Sequence, residues 1–157
     1  MTTKYSFVTR WQLQAPLSDV WDAVYNSTEW PQWWKGVKAV IEIEKNDEAG
    51  INGVRRYTWK SVLPYSLTFS MKLTEKEPQN RLKGIAFGEL EGNGEWLLRE
   101  EDGIVYVQYY WNVVATKKWM DSLAFVLKPF FIVSHNTVMH WGGKCLAKKL
   151  GTTLLKG

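Results

Sequence analysis

The sequence is poor in the groups that build covalent or metal frameworks. It has one cysteine, Cys145, and two histidines, His135 and His140, in 157 residues. A single thiol excludes an intramolecular disulfide framework and any cysteine-built zinc site. The two histidines stand five apart, which puts them on different faces of a helix, so a helical metal pair fails on geometry. Neither a metal nor a cofactor is expected. The glycines form no phosphate-cradling loop and no dinucleotide fingerprint, and no serine sits in a nucleophile elbow. The longest nearly uncharged apolar run falls short of the roughly 18 residues that a membrane span requires. Met1 to Arg10 carries no apolar block behind a basic start, so no signal peptide is read there and the reducing cytoplasm is the expected compartment.

Aromatic residues, by contrast, are plentiful: ten tryptophans, seven tyrosines and six phenylalanines. Hydrophobic residues make up 45% of the chain and charged residues 23%, an ordinary globular balance that excludes disorder. The length predicts one domain over residues 1–157, large enough to bury a core without staples. Net charge is +4, unevenly spread. From residue 116 onward seven lysines face Asp121 alone, a net of +6, while residues 1–115 carry a net of −2. A basic C-terminal third suits either a lysine-coated helix face or an anionic membrane surface. No nucleic-acid motif accompanies the lysines, and nucleic acid is not an expected partner.

Hydrophobic periodicity divides the chain into three stretches. Lys4 to Leu13 alternates and predicts a strand. Pro16 then suits a first helical turn, and Leu17, Val20, Trp21, Val24 and Tyr25 follow at helical spacing. Asn26-Ser27-Thr28 ends that helix and can cap a second short one carrying Trp30, Pro31, Trp33 and Trp34. Period two then predicts strands at Val37 to Glu44, Val54 to Lys60, Leu67 to Leu73, Arg81 to Glu89, Trp96 to Glu100 and Ile104 to Ala115, with a hairpin at Asp102-Gly103. Six strands at hairpin spacing imply an antiparallel meander that coils around something. Trp119 to Val133 is densely apolar and broken by Lys128-Pro129. Ser134 is the expected cap of a closing helix running to about Leu150. On that helix Val138, Met139, Gly142, Cys145, Leu146 and Leu150 form one stripe centred on His135, while His140 points the other way with Lys144 and Ala147.

The order of elements, with Ala15-Pro16-Leu17-Ser18-Asp19-Val20-Trp21-Asp22-Ala23-Val24 and Trp30-Pro31-Gln32-Trp33-Trp34, resembles the START-like helix-grip superfamily, the birch-pollen-allergen-like group. Within it the chain is most similar to the bacterial polyketide cyclase/dehydrase group. Further matching segments are Gly88-Glu89-Leu90-Glu91-Gly92, Tyr109-Tyr110-Trp111-Asn112-Val113, Thr116-Lys117-Lys118-Trp119-Met120, and His135-Asn136 with Val138-Met139 and Gly142-Gly143. The resemblance implies an α+β helix-grip fold. A curved antiparallel sheet of about seven strands wraps a long C-terminal helix, two short helices follow the first strand, and an apolar cavity lies between sheet and helix.

Gly142 and Gly143 sit mid-stripe at a cost of roughly 1 kcal/mol each relative to alanine. Either the helix approaches the sheet closely there, or the missing side chains leave room for a ligand. His135 faces inward near a helix start, where desolvation and the dipole favour the neutral imidazole; the alternative is a structural histidine bonded to a strand carbonyl. Of Arg55 and Arg56, one enters the cavity to meet an acidic ligand group. Tyr57, Phe69, Met71 and Trp96 are further candidate ligand contacts. So are Tyr109, Trp111, Met139 and Gly142 with His135, and the Tyr109 hydroxyl can orient a ligand. Glu89, Glu91 and Glu95 recur with period two, but the glycines between them favour a bend and a solvated face. Cys145 reads as a small hydrophobe.

Three functions follow from this reading. The leading one is a protein that binds an apolar small molecule, a lipid, polyketide or aromatic metabolite, in a ring-lined cavity. The second is a polyketide cyclase or dehydratase with His135 as general base and Tyr109 or an arginine stabilising an enolate. The third is a membrane-surface or protein-interaction module using Trp119 to Val133, which can otherwise serve as lid, core packing or dimer contact. The chain is a monomer or a homodimer in any of them.

Overall fold

A computed structural model describes residues 4–63, 65–118 and 122–156. Trp119, Met120 and Asp121, which open the apolar segment singled out above, lie outside them. Alternation makes Lys4–Leu13 a strand, β1, that buries Tyr5, Trp11 and Leu13 and turns Val8 and Arg10 outward. Pro16 precedes α1 (Leu17–Tyr25) with φ −61°, and α1 buries Val20, Trp21, Ala23 and Val24. A 3-10 turn at Ser27–Glu29 leads into α2 (Trp30–Trp33). The meander follows as β2 (Val37–Glu44), β3 (Val54–Trp59), β4 (Leu67–Glu77), β5 (Arg81–Gly88), β6 (Leu90–Glu101) and β7 (Ile104–Ala115). Then come α3 (Ala124–Lys149) and a short β8 (Leu154–Lys156).

These strands form one antiparallel sheet in the order β2-β3-β4-β5-β6-β7-β1-β8. The opening strand pairs with the last meander strand along its whole length, from Lys4 opposite Val114 to Leu13 opposite Val105. The two short helices therefore carry the chain across to the far edge, where β2 begins. The inner faces of the strands and one side of α3 share a single core. This is the helix-grip architecture.

Four details differ from the periodicity. The sheet has an eighth strand, too short at three residues to signal itself. β6 begins at Leu90 rather than Trp96: Gly92 and Gly94 dilute the alternation, but β7 pairs it without a break from Leu90 opposite Ala115 to Glu101 opposite Ile104. α3 begins ten residues before Ser134 and continues through Pro129. The bond that Pro129 cannot donate would go to the Phe125 carbonyl, and Phe125 is 83% exposed, so water can satisfy that oxygen. Ala147 is buried rather than outward, because the chain turns back at Gly151 and the Thr152 amide donates to the Ala147 carbonyl at 2.8 Å.

The contact of α3 with the sheet explains its two glycines. A β-carbon on Gly142 would stand 2.4 Å from Trp34 Cε2, and one on Gly143 would stand 2.8 Å from Trp11 Nε1. Both indoles are fully buried, and both hydrogen-bond to the helix. Trp34 Nε1 donates to the Val138 carbonyl at 2.8 Å, and Trp11 Nε1 donates to the Met139 carbonyl at 3.1 Å. Each acceptor lies four residues before one of the glycines, so the notch and the bond are parts of one joint. Close packing, not ligand space, is what these glycines serve.

Replacing Gly142 with alanine is therefore expected to destabilise the protein. Overpacking costs about 1–3 kcal/mol, against a gain of about 1 kcal/mol from helix propensity. The net loss is up to about 2 kcal/mol, read from the urea unfolding midpoint. A midpoint at or above that of the wild type would mean that Trp34 yields its place freely.

Candidate functional site

The inner face of β3 presents Arg55, Tyr57 and Trp59 in succession, that of β4 Phe69 and Met71, and that of β7 Tyr109 and Trp111. Large planar rings on a curved sheet interdigitate less completely than branched aliphatics, and among the described residues they wall two neighbouring cavities. The first, of about 110 Å³, lies between α1 and strands β2 to β6. The second, of about 90 Å³, lies between the sheet and the first half of α3. Trp30, Trp59, Phe69, Trp96 and Tyr109 wall both, so the two chambers lie back to back across an aromatic partition. Trp96 and Tyr109 stack within it at 4.2 Å between centroids.

Most of the residues expected from sequence come together here. Arg55, Tyr57 and Met71 line the first chamber; Trp111, His135 and Met139 line the second; Phe69, Trp96 and Tyr109 line both. Arg55 is the inward arginine, and Arg56 is exposed on the outer face. Gly142 lines neither chamber, because Trp34 fills its place. The bend expected from the glycines is not found, since β6 pairs without a register shift and keeps Glu91 and Glu95 on its outer face, while Glu89 precedes the strand. Glu89 pairs with Lys117 at 2.7 Å and accepts from the Thr68 amide at 2.6 Å; Glu95 pairs with Arg81 at 2.8 Å; Glu91 is exposed. Sequence reasoning missed Trp30 and Trp59 as partition rings, although Trp59 continues the alternation from Arg55. It also missed Ser27, whose partners lie about thirty residues away and leave no local signal.

Ser27 organises the polar corner of the first chamber. Arg55 Nη1 donates to its hydroxyl at 2.7 Å and to the Tyr25 carbonyl at 2.8 Å. The Ser27 and Tyr57 hydroxyls lie 2.7 Å apart. Burial raises the pKa of Tyr57, opposed by its bond to Ser27 and by Arg55. Burial also pushes Tyr109 well above 10, with Tyr57 adding to the effect. Both shifts favour the neutral phenol.

Polar groups without protein partners mark the second chamber. Trp59 Nε1, Ser61 Oγ and His135 Nε2, on residues that line it, are buried and hydrogen-bond to nothing among the described residues. The His135 ring stacks on Phe7, 3.9 Å between centroids and 16° from parallel. Burial lowers its pKa from 6.5 to about 4. Such groups are costly to bury unpaired, at about 1–3 kcal/mol each. Among the described residues no group of three His, Cys, Asp or Glu stands close enough to hold a metal.

The family described as polyketide cyclase / dehydrase and lipid transport matches residues 13–137. Among solved structures the chain is similar to the di-domain ARO/CYC BexL from the BE-7585A biosynthetic pathway. The identity is 19% and the TM-score 0.68, over 91% of this chain and 50% of that one, so this chain spans half of the di-domain protein. It is also similar to the Zhui aromatase/cyclase from Streptomyces sp. R1128, at 12% identity and a TM-score of 0.64, covering 88% of this chain and 93% of that one. A START superfamily protein from Mycobacterium smegmatis aligns at 11% identity and a TM-score of 0.71, covering 94% and 97%. At these identities the likeness is one of fold. No curated protein matches the chain.

His135 makes a prediction for stability against pH. The folded state holds the imidazole neutral down to about 4, whereas the unfolded chain protonates it near 6.5. More protons bind the unfolded chain in that window, so stability falls as pH drops through it, by at most about 3 kcal/mol. His135→Gln is expected to flatten this part of the profile in urea titrations across the same range. Superimposable profiles would show that the ring titrates normally.

Proposed function

The chain belongs to the polyketide cyclase / dehydrase and lipid transport family, and within it we propose that this protein binds an apolar small molecule in the ring-walled interior. One observation carries the reading: Trp59 Nε1, Ser61 Oγ and His135 Nε2, on residues that line a mainly apolar chamber, are buried without hydrogen-bond partners among the described residues. Ligand sites combine apolar and aromatic walls with a few convergent polar groups, as this chamber does. Burial of ligand surface supplies affinity at about 25 cal/mol per Å², and the unpaired groups with the Tyr109 hydroxyl supply orientation. An imidazole whose conjugate acid has a pKa of about 4 is a poor match for proton abstraction near neutral pH, where general bases are tuned closer to 7. That supports positioning by His135 over catalysis by it.

Lipids and aromatic metabolites are thus expected to raise Tm. Leu67 lines the second chamber from β4, and Leu67→Trp is expected to fill it and reduce the rise by half or more. A broad panel of apolar ligands without any effect on the wild-type Tm would overturn the proposal.

A further role is favoured by the two unlike halves of α3. Its outward stripe runs Phe125, Pro129 and Val133, then Asn136, His140 and Lys144, at helical spacing. The polar half is an ordinary solvated face. The apolar half exposes Phe125 at 83%, Phe130 and Val133 at 52% and Val126 at 46%, with the exposed Lys128 on the same half and Lys117 and Lys118 earlier in the chain. Rings beside lysines match an anionic bilayer surface, with the inward side of this half-helix walling the second chamber. Co-sedimentation with phosphatidylglycerol-containing vesicles is expected, weakened by salt and lost in Phe125→Ser/Phe130→Ser. A concentration-dependent dimer that the same substitutions abolish, without vesicle binding, would assign the face to a second copy of the chain.

A further inference from the structure

The first chamber holds a cation whose partners are incomplete. Arg55 uses Nη1 for the Tyr25 carbonyl and the Ser27 hydroxyl, at 2.8 and 2.7 Å. Its guanidinium carbon lies 5.9 Å from the Tyr25 ring centroid; among the described residues Nε and Nη2 make no hydrogen bond and no carboxylate approaches within 4 Å. Glu42 is its cross-strand neighbour and lines the chamber with Glu44, but both glutamates are exposed at the mouth and neither pairs with it. Lys72 and Lys83 line the same chamber, so its charged groups carry three positive charges against two negative ones. Two bonds to backbone and serine fix the plane of the guanidinium. A fork held in this way presents its remaining donors in the geometry that a carboxylate accepts.

Beyond the guanidinium the walls turn apolar, with Phe69, Trp96 and Tyr109 leading to the second chamber. Along β3 the distance from Arg55 to Trp59 is four residues, roughly 13 Å, the reach of a medium-length acyl chain. We infer that the first chamber is a carboxylate-recognising head site, and that the ligand is an amphiphilic acid with its carboxylate on Arg55 and its apolar body against the aromatic partition. This rests on the reading that the interior takes an apolar molecule. It adds that one end of that molecule is anionic.

Calorimetric titration of the wild-type protein with decanoate, decanol and decylammonium at neutral pH separates the two claims. Decanoate is expected to bind at least about tenfold more tightly than decanol, as charge-assisted hydrogen bonds require, with decylammonium weakest. Arg55→Gln is expected to bring the ratio of acid to alcohol affinity near one, and Arg55→Lys, a point charge without the fork, to an intermediate value. Equal binding of decanoate and decanol by the wild type would overturn the head site and leave the apolar cavity standing. Tightest binding of decylammonium would overturn it by assigning the mouth to Glu42 and Glu44. An unchanged ratio in Arg55→Gln would overturn it as well. Failure of all three to bind a protein whose Tm other apolar ligands raise would overturn the head site, and failure of those ligands as well would overturn the apolar-ligand reading on which it rests. Should the variants not fold, the wild-type series decides by itself.

Discussion

The interior depends on a joint of two indoles against one helix. Trp34 and Trp11 each fill the space over a glycine and each donate to the carbonyl four residues before it. Both terms act in the same direction: the bond satisfies a buried N–H that would otherwise be orphaned, and the notch admits the ring that carries it. The joint seats α3 on the sheet at Gly142 and Gly143. The space left between sheet and helix falls under the first half of α3, where Phe131, Ser134 and His135 form its roof.

The same rings that fill the core also leave it incomplete. Trp30 and Trp34 lie 4.7 Å apart between centroids, and each lies 5.3 to 6.4 Å from Trp59 and from Trp96. Such stiff bodies cannot flow into the remaining gaps as methionine would. Burial then sets the chemistry of what faces those gaps. Tyr57, Tyr109 and His135 are all held in their neutral forms by desolvation. Arg55 is the exception. Its charge is met by the Tyr25 carbonyl, the Ser27 hydroxyl and the open mouth of the chamber.

Family membership and site chemistry answer different questions here. The family match and the structural likenesses concern the scaffold, a sheet closed around a helix. What the scaffold holds is decided by a handful of inward side chains, and a fold hosts many ligands by varying those alone. In this chain they are an arginine at one end, an aromatic partition in the middle and a neutral histidine at the other end.

The sequence by itself determined the order of elements, the inner faces of the strands and most of the residues that reach the interior. Period two and period 3.6 are local properties, and Phe69 with Met71, or Tyr109 with Trp111, could be read from them directly. Tertiary structure alone decided three things. It assigned the glycines to indole packing, because Trp11 and Trp34 lie more than a hundred residues away along the chain. It let the helix run through Pro129, because that turn of α3 lies on an exposed face. It divided one expected cavity into two chambers and placed Ser27 beside Arg55, because rings and hydroxyls from α1, α2 and five strands meet there only once the sheet has closed. Local periodicity reports which way a side chain points; what it meets depends on the distant chain opposite.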